Sequence, residues 1–184
     1  RLRPDQRARA GIGWVPQEPF LFSDTIAGNI ALARPDAGEA EIVAAARLAD
    51  LDADIARLPD GYRTEVGERG VTLSGGQRQR VAIARMLLAD ASLMLLDDAL
   101  SAVDTATETR ILSHLREATR GRSMIIASHR LSAVMDADEI VVLRRGRIVE
   151  RGDHAGLLAA DGWYASQWRY QQLEASLDDG ARPS

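Results

Sequence analysis

The sequence predicts an α/β fold in which helices flank a parallel sheet. Two compact apolar runs, residues 91–98 and 123–128, are typical of strands buried on both faces, and such strands belong to parallel sheets covered by helices. A helix is expected over residues 105–120, and a further short strand over residues 9–16. Together these observations place the chain in the α/β class.

The remaining elements follow from periodicity and turn chemistry. We predict, in chain order, a helix starting near residue 24, an alanine-rich helical stretch over residues 38–58 that stops at the turn 59–61, a helix after residue 74, hairpin strands at residues 139–143 and 147–150, and a helical pattern from about residue 153. The last residues, 177–184, are expected to form a flexible tail.

Composition excludes several classes of protein. The chain has 184 residues, a formal charge of −4 and no cysteine, which argues against a dedicated nucleic-acid binder and rules out disulfides. No apolar run is long enough to span a bilayer. All basic side chains are arginine, so the phosphate-binding motif G-x-x-x-x-G-K-[ST] cannot occur within these residues.

The most informative stretch is Leu-Ser-Gly-Gly-Gln at residues 73–77, which directly precedes apolar residues at helical spacing. Ser74, Gly75 and Gly76 are therefore expected to form the mouth of a helix, where unpaired N–H groups and the helix dipole favour an anion such as phosphate. Glycines allow close backbone approach to that anion. The alternative interpretation is an ordinary Ser N-cap followed by flexible glycines.

Polar side chains stand at the ends of the two apolar strands. Asp97 and Asp98 close the first strand, and His129 follows the second. Ligands bind at the carboxyl edge of open α/β sheets, so these groups are expected to gather at a ligand site. The two carboxylates could instead cap the following segment, and Asp104 is equally suited to be the N-cap of the helix after it.

These motifs, taken in order, resemble those of the nucleotide-binding domain of ATP-binding cassette (ABC) exporters. Residues 73–77 resemble the ABC signature, residues 91–98 Walker B, residues 100–104 the D-loop, and Val15-Pro16-Gln17 the Q-loop. The resemblance implies a P-loop NTPase-type fold with an inserted α-helical signature subdomain at about residues 20–85, within a partial ATPase domain over residues 1–176. Its N-terminal part, with the Walker A loop, would lie upstream of Arg1.

The resemblance also implies roles for individual residues. ATP and Mg²⁺ would be the cofactors, and Asp98 and His129 the catalytic residues. The ATP-binding residues would be Gln17, Ser74, Gly75, Gly76, Gln77, Asp97 and His129, with Gln17 and Asp97 serving Mg²⁺. Ser101 and Asp104 would lie at the interface with a second nucleotide-binding domain, while Gln17, Glu65 and Glu68 would couple to a transmembrane domain at the cytoplasmic face of the membrane.

One residue departs from the family pattern, which has Glu where this chain has Asp98. The shorter side chain stops roughly 1.5 Å back from the attacking water, and displacement on that scale costs on the order of a hundredfold in rate. We therefore expect a heterodimer in which this half hydrolyses ATP slowly. Two alternatives remain: an SMC-type ATPase, although no heptad run is present, and a non-catalytic interaction module.

Overall fold

The computed structural model describes residues 11–67 and 70–180, with the side chains of residues 178–180 left aside. The chain divides into two compact units, residues 1–127 and residues 128–184. The predicted extent of the ATPase domain, residues 1–176, stays a prediction.

The first unit is built around a parallel sheet of three strands. The described strands of this unit are β1 (Ile12–Val15), β2 (Asp24–Thr25), β3 (Glu65–Val66), β4 (Leu93–Asp97) and β5 (Ser123–Ala127). The sheet has the order β1-β4-β5, with Val15 opposite Leu96 and Asp97 opposite Ala127. The predicted α/β class with a parallel sheet is confirmed. β2 and β3 form a separate antiparallel pair.

The first unit contains five described helices, of which α4 packs on the parallel sheet. They are α1 (Ile26–Ala31), α2 (Glu39–Leu48), α3 (Asp52–Ile55), α4 (Gly75–Leu88) and α5 (Thr105–Ala118), with a 3₁₀ turn at Gly61–Arg63. α4 is the central helix, since it contacts α1, α2 and β1. It lies so close to the sheet that a Cβ on Gly13 would stand 2.6 Å from Cγ of Met86.

The two faces of the sheet differ in burial. Val15, Met94 and Leu96 point to the covered face and are at most 1% exposed. On the opposite face Trp14 is 59% exposed and Ile125 is 53% exposed. The prediction that the strand at residues 123–128 is buried was therefore wrong for this chain, because in the described part of the first unit no element covers that face. We call the exposed side chains of Ile12, Trp14 and Ile125 the open face.

The second unit contains a hairpin and two helices. Its described elements are a 3₁₀ turn (Leu131–Ala133), β6 (Ile140–Arg144), β7 (Arg147–Gly152), α6 (His154–Ala159) and α7 (Trp163–Gly180). The predicted hairpin is confirmed, and its turn uses the left-handed conformation at Arg145 (φ +49°) and Gly146 (φ +74°), which suits a tight two-residue connection.

Its core contains Tyr164, which is fully buried, together with Leu131, Ile140, Val142 and Leu157. The C-terminal helical pattern is divided at Asp161 (φ +51°), where Glu150 accepts hydrogen bonds from the backbone N–H groups of Trp163 and Tyr164. α7 continues to Gly180, so it extends past residue 176, where the sequence predicted the start of a flexible tail.

Candidate functional site

The signature segment forms the predicted helix mouth. α4 begins at Gly75 with Ser74 as N-cap, and the Ser74 hydroxyl accepts a hydrogen bond from the Gln77 backbone N–H at 3.2 Å. The Gln77 side chain returns the bond by accepting from the Ser74 N–H at 2.9 Å, which completes a capping box. The N-cap interpretation of Ser74 is thus correct, and phosphate binding at the same mouth stays a prediction.

A partly buried ion pair supports the start of α4. Asp54 of α3 accepts hydrogen bonds from Gln77 (3.1 Å) and from Arg80 (2.7 Å), and Arg80 also donates to the Gly76 carbonyl (3.3 Å). The Arg80 side chain is 12% exposed. Burial by itself would raise the pKa of Asp54, but the hydrogen bonds from Gln77 and Arg80 outweigh it and hold that pKa below its ordinary value.

We expect Asp54→Asn to destabilise the first unit by about 2 kcal/mol at neutral pH, because it leaves the Arg80 charge with a weaker partner. The lowered pKa means that the carboxylate stabilises the fold above the unfolded-state pKa of about 4 and that this stabilisation is lost as pH falls through the folded-state value. Urea unfolding of the two proteins at pH 7 and pH 3 measures the destabilisation by Asp54→Asn and its loss at low pH. An equal difference between the two proteins at both pH values would contradict the ionised pair.

The Q-loop residue and Walker B carboxylate meet at the sheet edge. β1 and β4 are parallel neighbours, so the residues that follow them emerge together, and the Gln17 Nε2 donates to the Asp98 carboxylate at 3.3 Å. Asp98 has left-handed backbone (φ +48°), a conformation that Asp tolerates better than most residues. Its N–H donates to the Ala127 carbonyl at 2.7 Å, which fixes the turn. Gln17 and Asp98 are thus in contact at this edge, while their roles in binding a nucleotide stay predictions.

The segment after Gln17 is tied to α4 by Arg85. Its guanidinium donates to the backbone oxygens of Asn29 (2.8 Å) and Phe20 (3.2 Å), and burial lowers the pKa of Arg85, which nonetheless stays protonated. Asn29 is 1% exposed. Its side-chain amide accepts a hydrogen bond from the Phe22 N–H and donates one to the Phe22 carbonyl. Sequence reasoning missed Arg85, whose partners Asn29 and Phe20 lie 56 and 65 positions earlier in the chain.

The D-loop residues have local structural roles. The Ser101 hydroxyl donates to the Asp98 carbonyl at 2.9 Å, and Asp104 caps α5 by accepting from the Thr107 N–H at 2.9 Å. That backbone hydrogen bond holds the pKa of Asp104 below its ordinary value. The N-cap interpretation of Asp104 is confirmed, and the dimer-interface role of both residues stays a prediction.

The remaining predicted residues are exposed or lie outside the described residues. Asp97 ends β4 with an exposed side chain, and Glu65 is exposed on β3, paired with Thr25. Glu68 lies outside the described residues. His129 is exposed in the second unit, where its carbonyl accepts a hydrogen bond from the Gln171 side chain at 2.8 Å. Its predicted catalytic role is therefore not tested by this geometry.

At the carboxyl edge of the sheet, Mg²⁺ would need ligands from a substrate as well as from the protein. Within residues 11–67 and 70–180, no cluster of three or more His, Asp or Glu side chains could hold a metal ion. Mg²⁺ commonly takes one or two protein ligands together with substrate phosphates, and the exposed Asp97 carboxylate and the Gln17 amide oxygen are donors of that kind.

Comparison with known proteins identifies the class. A family profile described as "ABC transporter" matches residues 2–101, which is more than half of the chain. The chain therefore belongs to the ABC transporter family. None of the helices within the described residues has the length and apolar character needed to cross a membrane.

Among its relatives, the chain is 57% identical over 171 residues to the "Multidrug resistance-like ATP-binding protein MdlA" of Escherichia coli (strain K12), covering 93% of this chain and 29% of that protein. It is 51% identical over 168 residues to the "ATM1-type heavy metal exporter" of Novosphingobium aromaticivorans, covering 91% and 28%. A solved structure of a bacterial Atm1-family ABC exporter with ATP bound matches with a TM-score of 0.84 and 52% identity, covering 89% and 29%. The chain thus spans less than a third of the length of these relatives.

Proposed function

We propose that this chain is part of the ATP-hydrolysing engine of an ABC exporter. The observation that carries the proposal is the joint presence of a capped Ser-Gly-Gly helix mouth on α4 and a Gln17–Asp98 pair at the carboxyl edge of the sheet. The relatives named as an ATP-binding protein and as exporters support it. In this proposal ATP is bound and hydrolysed, and the free energy drives export.

The residues divide between two nucleotides in a head-to-tail dimer. Ser74, Gly75 and Gly76 present the N-terminus of α4 to the phosphates of an ATP molecule held by a second nucleotide-binding domain, with Gln77 fixing the Ser74 backbone. Gln17, Asp97, Asp98 and His129 serve the nucleotide of their own domain. The two sites of such a dimer need not be equal.

At its own nucleotide, the chain supplies carboxylates and an amide. Mg²⁺, when bound, neutralises developing charge on the phosphates. Asp97 and the Gln17 amide oxygen would hold it, while the Gln17 amide nitrogen holds Asp98 in place for the attacking water. His129 would contact the terminal phosphate. Glu65 and Glu68, with Gln17, would transmit closure to a transmembrane domain in the membrane, from its cytoplasmic face.

The test is ATP binding and hydrolysis by two forms of the protein. The 184-residue chain lacks any lysine for a G-x-x-x-x-G-K-[ST] loop, so we expect it to bind ATP weakly by equilibrium dialysis. A form extended upstream by about one hundred residues should bind ATP tightly, and the full-length transporter should hydrolyse it. A full-length protein that binds no ATP would contradict the proposal.

A further inference from the structure

Gln79 is a buried polar side chain that the proposed function leaves without a role. It lies on the second turn of α4, one turn beyond the signature glycines, and is 3% exposed. A primary amide at such a site needs several partners, because a buried donor or acceptor without a hydrogen bond destabilises the fold. Gln79 finds these partners in the loops that follow β1 and β4.

Three hydrogen bonds join this one amide to two different loops. The Gln79 Nε2 donates to the Gln17 carbonyl and to the Ser101 hydroxyl, both at 3.1 Å. The Gln79 Oε1 accepts from the Ala102 N–H at 3.1 Å. The loop after β1 and the loop after β4 are thus fastened to the helix that carries the signature.

These bonds close a ring that includes the Walker B carboxylate. Gln17 binds the Asp98 side chain (3.3 Å), the Asp98 carbonyl accepts from Ser101 (2.9 Å), and Ser101 and Gln17 both accept from Gln79. We call the set Gln17, Gln79, Asp98 and Ser101 the amide ring. Gln17, Asp98 and Ser101 belong to loops, whereas Gln79 belongs to α4. The helix residue therefore anchors the other three members of the ring.

We propose that Gln79 is a positioning residue for ATP hydrolysis: it sets the place of the Asp98 carboxylate by fixing both loops that hold it. This inference rests on the proposed function and extends it. Because Gln79 acts through Asp98 and is itself buried, its loss affects the rate of the chemical step and leaves nucleotide affinity nearly unchanged.

The first test is kinetic. Gln79→Met keeps the length of the side chain and removes all three hydrogen bonds. In the full-length transporter we expect kcat for ATP to fall by about tenfold or more with KM for ATP unchanged. The matched control is Thr119→Val, which removes one buried hydrogen bond to the Leu115 carbonyl at the far end of α5 and should leave both constants unchanged.

The second test asks whether Gln79 and Ser101 act through one network. Ser101→Ala removes the bond to the Asp98 carbonyl and one bond from Gln79. If the amide ring acts as a unit, the double variant Gln79→Met/Ser101→Ala is no slower than the worse single variant. Rate losses that multiply would overturn the proposal, as would a Gln79→Met variant with unchanged kcat or one altered only in KM.

The third test separates this inference from the proposed function. Hydrogen exchange of the Ala102 amide, measured in the 184-residue chain, should accelerate in Gln79→Met and stay unchanged in Thr119→Val. An unchanged Ala102 amide would overturn the ring whatever the ATPase activity is. A transporter that fails to hydrolyse ATP before mutation, with the exchange result as expected, would instead count against the proposed function alone.

Discussion

Gly76→Ala is expected to lower ATP hydrolysis by the full-length transporter on the order of a hundredfold. A Cβ at this position would stand 2.7 Å from the Ala102 carbonyl oxygen, a backbone atom that no side-chain rotation can move away. The start of α4 and the loop after β4 would therefore have to separate. That separation displaces the signature mouth and, through the Ala102–Gln79 contact, the amide ring as well.

The measurement is steady-state ATPase activity, with thermal unfolding recorded alongside it. Gly38→Ala is the matched control, because Gly38 is the N-cap at the start of α2, has an ordinary backbone (φ −72°) and would place its Cβ no closer than 3.6 Å to the Glu41 side chain. We expect that control to keep its activity. Full activity in Gly76→Ala would show that the close approach at Ala102 does not set the geometry of the site.

Asp98→Glu should raise turnover at this chain's own site, by up to about a hundredfold, if Asp98 marks the slow half of a heterodimer. The added methylene restores roughly 1.5 Å of reach toward the attacking water. In the structure the Asp98 carboxylate lies 3.3 Å from the Gln17 Nε2, which holds the negative charge in place. The Asp side chain is one methylene shorter than Glu, so this carboxylate stops further from the attacking water.

Single-site turnover in the full-length complex measures this effect. Replacing Asp by Glu at a left-handed backbone position could also alter the stability of the fold. Asp161→Glu is the control for that effect, because Asp161 has a similar φ of +51° and lies on the surface of the second unit. We expect no rate change in that control. An unchanged or lower rate for Asp98→Glu, with the fold intact, would argue for a homodimer that works with Asp.

Much of the candidate site follows from short stretches of sequence. The Ser74–Gln77 capping box is contained in four residues, so the helix mouth could be predicted from local chemistry alone. The meeting of Gln17 and Asp98 follows from one further rule, that neighbouring parallel strands end at a common edge.

The supporting contacts could not be predicted in this way. Gln79 binds a residue 62 positions earlier, and Arg80 pairs with Asp54 across 26 positions. Nothing in the local pattern distinguishes these side chains from solvated residues of an amphipathic helix, because their burial depends on which elements pack against α4. The exposure of Ile125 was missed for the same reason, since an apolar run indicates a preference for burial and not what covers it.

The open face has a practical consequence for handling this polypeptide. An indole and two isoleucine side chains are exposed to water on β1 and β5, the two strands that flank β4, and exposed apolar surface of that kind promotes association between molecules. We therefore expect the chain, purified by itself, to associate and precipitate as its concentration is raised. Mild detergent or low protein concentration is the sensible starting condition for the exchange measurements.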